Sequence, residues 1–191
     1  MKSESRRVKM TKKLLNEALV ESILEEVKPA EKVTVTEICK RADVNRSTYY
    51  AYYSDPIFQY EQLLQQVVGE IQKAIASIKL EEMKDEEKQR KAVMHVLRVV
   101  KKNFDAIRVF DIYSGVLFWQ GLSNSIQDAL AKSVGKSAIS EREEGIYTYC
   151  MTGSYALVFR WINMGKPETM EELADLIITC NMNTAQKELL G

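Results

Sequence analysis

The sequence is poor in residues that interrupt regular structure, with only 3 Pro and 8 Gly in 191 residues. That excludes collagen-like and low-complexity architectures and favours long helices. Its 3 Cys are odd in number and lack CxxC spacing, so neither a disulfide framework nor a zinc site is expected. Cys39, Cys150 and Cys180 are read as buried free thiols. The single His, His95, has no carboxylate or Cys at ligand spacing, and it offers neither a metal set nor a nucleophile pair. Gly-rich phosphate loops, GxSxG and HExxH are missing. Glu81, Glu82, Asp85, Glu86 and Glu87 read as solvated helix ends, not as paired acids. No catalytic residue, metal ligand or cofactor is therefore expected, and the chain is not expected to be an enzyme. No apolar run approaches the roughly 18 residues of a membrane span. The basic start, MKSESRRVKMTKK, leads into a segment carrying Glu17, Glu21 and Glu25, unlike the apolar core of a secretory signal. The expectation is a cytoplasmic protein with no membrane partner.

Surplus charge is also lacking: 27 basic residues balance 27 acidic ones. Phosphate binding draws on Lys and Arg, so this balance alone argues against a nucleic-acid partner. The distribution argues the other way. Residues 1–54 hold 11 bases and 8 acids, net +3, whereas residues 55–191 hold 16 and 19, net −3. Lys2, Arg6, Arg7, Lys9, Lys12 and Lys13 stand against Glu4 in a basic tail.

What is present is helical throughout. From Thr11 to about Val27, Leu14, Leu15, Ala18, Leu19, Ser22, Ile23 and Val27 recur at three- and four-residue steps, and Lys28-Pro29 closes the helix. Thr34 followed by Glu37 is a capping box that starts a helix from Val35 to about Ala42. After the short turn at Asp43-Val44, Asn45 has the chemistry of an N-cap for a second short helix reaching about Tyr53. Two short helices joined so tightly form a helix-turn-helix. Val44, Tyr49 and Tyr53 fall on the side that packs inward. Arg46, Ser47, Thr48, Tyr50 and Tyr52 stay near the exposed N-terminal side. Arg can pair with guanine N7 and O6, Ser and Thr reach base edges or phosphates, and Tyr hydroxyls can donate to phosphates. The other reading of these residues is a helical hairpin whose tyrosines belong to an internal core.

The stretch TVTEICKRADVNRSTYYAYYSD resembles the N-terminal DNA-binding domain of the TetR family of bacterial transcriptional regulators, over about residues 9–60. The resemblance implies base reading by Arg46, Ser47 and Thr48 and phosphate contacts from Tyr50, Tyr52 and Thr34 or Thr36, with Asn45 also counted among the DNA-binding residues and Tyr49 and Tyr53 in the core. It departs from the family's pattern at Asp43, where Gly is usual, and at Pro56, where a phosphate-contacting Lys is common. The basic tail is expected to supply the missing charge.

Beyond Pro56, helices are expected over about Ile57–Ile78, Ala92–Asn103, Phe104–Tyr113, Leu117–Ala131, Glu141–Met164 and Met170–Leu189, with Lys79–Lys91 as an exposed connection. Thr169 and Glu172 repeat the capping-box spacing. Gly153, Leu157 and Trp161 on the first of the last two helices, with Leu173, Ile177 and Cys180 on the second, form stripes suited to a four-helix bundle about a twofold axis. YALVFRWINMGKPETMEELADLI is similar to the C-terminal part of a TetR branch typified by regulators of dihydroxyacetone kinase genes. Met94, Leu97, Phe110, Tyr113, Phe118, Trp119, Tyr147, Met151 and Tyr155 either line an apolar effector pocket or fill an ordinary core.

The expected fold is all-α: a three-helix helix-turn-helix domain over 1–56 and a helical effector-binding and dimerisation domain over 57–191. The resemblance implies a homodimeric regulator, most often a repressor, that leaves a double-stranded operator when a small-molecule or protein effector binds. A co-regulator that binds a partner protein through its helical domain is the alternative.

Overall fold

The computed structural model describes residues 5–77, 85–113, 140–165 and 168–185. Among them the chain is all-helical, without strands, and it divides into two compact units. One comprises 5–67 with 105–113, and the other 68–104 with the described residues beyond 113.

The first unit starts earlier than the periodicity predicts. Helix α1 spans Arg6–Glu26 because the Ser5 hydroxyl accepts from the Val8 N–H at 3.3 Å. Arg6, Arg7, Lys9, Lys12 and Lys13 thus sit on an ordered helix and not in a tail. Leu15, Leu19 and Ile23 are buried on its inner face; burying each contributes about 1.5–3 kcal/mol. The helix ends at Val27 in the left-handed region, φ 48° and ψ 44°. That is an unusual place for a β-branched residue.

Helix α2, Val35–Ala42, packs on α1 through Ile38, Cys39 and Ala42. Its capping box forms as the Thr34/Glu37 spacing predicts, and Asp43 ends it at φ 52°. Asp enters that region more easily than most residues, so the turn does without Gly. Helix α3 is shorter than expected, Arg46–Tyr50, with the chain turning at Ala51 and Tyr52. Asn45 occupies the N-cap position but makes no side-chain cap bond. Tyr49 and Tyr53 are buried, their rings 5.7 Å apart.

Helix α4, Pro56–Ala76, starts where Asp55 accepts from the Phe58 N–H at 2.8 Å. The fully buried Gln59 of α4 donates to the Leu15 carbonyl of α1 at 2.8 Å. Helix α6, residues 104–113, adds Phe110, edge-on to Tyr60 at 5.4 Å.

In the second unit, α5 spans Glu86–Lys102, taking in part of the expected connection because Asp85 accepts from the Lys88 N–H at 3.0 Å. Helix α8, Met170–Ala185, packs on α5 and on α7, Glu141–Asn163. Met94, Leu97, Trp161, Leu173 and Ile177 are buried here. The Trp161 indole N–H donates to the Glu168 carbonyl at 2.9 Å, and Thr169 and Glu172 form a second capping box. No helix among the described residues is long and apolar enough to cross a membrane.

Candidate nucleic-acid interface

The site is built on the α1–α2 pair, which ionic contacts hold. Arg41 on α2 makes a two-pronged contact with Glu25 on α1, 2.9 and 2.6 Å, and also reaches Glu21 at 3.4 Å. Lys28 pairs with Glu37 at 2.6 Å and Glu26 at 2.8 Å. The Lys28 bond, followed by the two from Thr34, lowers the Glu37 carboxyl to about 2. With Lys13 and Glu17 at 3.5 Å, five carboxylates are held by three bases.

On this base α3 presents Asn45, Arg46, Ser47 and Tyr50 to solvent, with Thr48 and Tyr52 half-buried. Arg46 is the centre of a cluster spanning two helices. Its guanidinium donates to the Thr36 hydroxyl of α2 at 3.5 Å and to the Tyr50 hydroxyl at 3.3 Å, and lies 6.0 Å from the Tyr50 ring centroid. Such contacts hold a long side chain outward in few conformations. Thr34 serves the helix instead, because its hydroxyl donates to Glu37 at 2.8 Å and accepts from the Glu37 N–H at 3.2 Å, so it is spent on the cap. Asn45 keeps its carboxamide for another partner, since the helix does not use it. Chemically, the face combines a planar cation, hydroxyls and a carboxamide, the groups that read base edges and phosphates.

A cleft that the sequence did not reveal lies in the same unit. It is half open to solvent and offers about 410 Å³ between Lys12 and Asn16 of α1, Tyr52 and Tyr53 after α3, and Phe58, Gln62, Gln65 and Gln66 of α4. The periodicity of α4 could have flagged one part of it: Phe58, Gln62, Gln65 and Gln66 share a helical face.

The remaining expected sites divide. Met94 and Leu97 are buried and Met151 and Tyr155 half-buried in the second unit, whereas Phe110 is buried and Tyr113 half-buried in the first. Phe118, Trp119 and the Tyr147 side chain lie outside the described residues. Of the expected dimer stripe, Trp161, Leu173 and Ile177 are buried within their own chain. Gly153 and Cys180 are exposed and Leu157 is half-buried. The thiols are not uniformly buried: Cys39 is, Cys150 is intermediate and Cys180 is exposed. His95 stands on the surface of α5. Among the described residues no group of His, Cys, Asp and Glu is placed to hold a metal ion.

No protein-family model matches the sequence, and no curated protein does. Solved structures match the fold. A dihydroxyacetone kinase operon activator, DhaS, superposes with a TM-score of 0.63 at 14% identity, over 93% of this chain and 97% of its own. A TetR-family transcriptional regulator from Streptomyces coelicolor gives 0.58 at 12% identity, over 95% and 99%. The fold is TetR-like. Both of these neighbours are named as regulators of gene expression, and neither is named as an enzyme.

Proposed function

We propose that the protein is a DNA-binding transcriptional regulator whose α3 enters the major groove. The observation that carries this reading is the exposed Arg46, held by Thr36 and Tyr50 on a unit in which Glu25 and Glu37 are engaged by Arg41 and Lys28. Residues 1–56 form the DNA-binding domain, and 57–191 bind the effector and a second copy of the chain. Gly153, Leu157 and Cys180, beside the exposed Tyr149 and Leu176, supply the face for that copy. In a twofold dimer the two α3 helices meet half-sites about one helical turn, roughly 34–36 Å, apart. An effector releases the dimer by binding more tightly to the conformation that cannot span both half-sites.

In this role the protein acts as a repressor in the cytoplasm. The likeness to a protein named as an operon activator supports a second reading, in which the same dimer raises transcription. Selection of bound fragments from genomic DNA, followed by footprinting, tests the main proposal. Enrichment of a pseudo-palindrome with half-sites roughly 10 base pairs apart is expected; binding without any enriched sequence would overturn it. A reporter driven by that site then decides the sign of regulation.

A further inference from the structure

The cleft between α1, the turn after α3 and α4 is lined mostly by side chains that can donate a hydrogen bond, amides and hydroxyls that also accept among them. Of its eight lining residues Lys12 is the one that carries charge, and no carboxylate is among them. The Lys12 ammonium stands 5.7 Å from the centroid of the Tyr52 ring, within cation–π range, which holds the positive charge at the rim. At the base, the Asn16 carbonyl oxygen already accepts from the Tyr53 hydroxyl at 3.2 Å and from the Gln59 amide at 3.1 Å. What Asn16 has left for a ligand is its amide donor. Gln62, Gln65 and Gln66 bring further amides, Tyr52 a hydroxyl, and Phe58, 39% exposed, an apolar wall. Lys9, three residues before Lys12, shares its side of α1 and extends the positive edge beyond the cleft.

A cation, amides and a hydroxyl that can turn their N–H and O–H groups inward, no acid and one apolar wall suit an anionic group attached to carbon. We propose that this cleft binds a phosphate group: a backbone phosphate of the DNA that α3 engages, with its sugar against Phe58, or the phosphate of a small ligand. The first source rests on the function proposed above. There Lys12 adds one ionic contact per protomer from a helix that does not enter the groove.

Two measurements on the full-length protein separate the sources. In the first, DNA affinity is followed against salt for the wild type, Lys12→Gln, Lys12→Arg and Arg46→Ala. A backbone phosphate predicts that Lys12→Gln flattens the slope of log affinity against log salt by about 0.9 for each Lys12 lost, equally on all sequences. Lys12→Arg restores the slope. In the second, inorganic phosphate is titrated into the DNA-free protein while the side-chain amide signals of Asn16, Gln62, Gln65 and Gln66 are followed. A saturable shift that Lys12→Gln abolishes, with an unchanged DNA slope, assigns the cleft to a free phosphorylated ligand. An unchanged slope together with no saturable shift overturns the proposal. Should Arg46→Ala weaken DNA binding in that case, the cleft assignment fails while the DNA-binding reading stands. Should Arg46→Ala leave binding unchanged, the DNA-binding reading fails, and the phosphate titration alone decides the cleft.

Discussion

Replacing Glu37 by Gln tests how α2, and with it the Thr36 support of Arg46, is anchored. In the native chain one Glu37 oxygen takes the Lys28 ammonium at 2.6 Å, and the other takes the Thr34 N–H and hydroxyl, each at 2.8 Å. Gln keeps the shape and one acceptor but loses the charge. The carboxyl falls from 4.5 to about 2, with the Lys28 bond the largest cause and the Thr34 bonds next. At about 1.36 kcal/mol per pKa unit this gives a ceiling of about 3.4 kcal/mol. The Glu37 side chain is 37% exposed, so solvent screening reduces that to about 1–1.5 kcal/mol. A depressed carboxyl stabilises the fold above its unfolded pKa, and the contribution is lost as pH falls through the folded value. The penalty of Glu37→Gln should therefore be constant from pH 8 to about 5.5, and less than half of it should remain at pH 3. Native-state exchange of the α2 amides, corrected for intrinsic rates at each pH, reads the opening free energy directly. A penalty equal at pH 7 and pH 3, or below about 0.5 kcal/mol at pH 7, would refute the reasoning.

Other positions give further tests. Val27→Gly should raise thermal stability by about 0.5–1 kcal/mol: the left-handed backbone costs Val roughly 1–2, and Gly returns part of that as unfolded-chain freedom. Val27 is 71% exposed, so little packing is lost, and a lowered melting temperature would contradict this. Tyr49→Phe should leave stability unchanged or improve it by about 1 kcal/mol, because this buried hydroxyl has no hydrogen-bond partner among the described residues. A loss of more than 1 kcal/mol by urea unfolding would show that the hydroxyl is satisfied. Gly153→Leu should preserve the monomer fold, since an added Cβ there meets nothing within 4 Å. It should break the proposed dimer in sedimentation, and an intact dimer of unchanged affinity would place the interface elsewhere.

Features set by neighbours in sequence were legible in advance. The capping boxes at Thr34/Glu37 and Thr169/Glu172 each depend on residues within one helical turn, so their spacing carries them. Burial of Tyr49 and Tyr53 followed from helical phase. An apolar stripe, by contrast, does not say which partner covers it. Trp161, Leu173 and Ile177 match the spacing of a dimer seam, yet they are buried in their own unit. The Lys12 cleft joins residues up to 54 positions apart, from Lys12 to Gln66, and no local pattern encodes such a meeting. The early start of α1 was missed because Ser5 lies outside its apolar repeat.

The claim that α3 reads DNA through Arg46 is tested most directly by titrating the selected operator, and variants with single base changes, with the wild type, Arg46→Ala and Tyr50→Ala. Arg46→Ala is predicted to lose roughly 1–3 kcal/mol of preference at one base pair per half-site, while Tyr50→Ala weakens binding to every sequence. Unchanged affinity and unchanged preference in both variants would contradict the account.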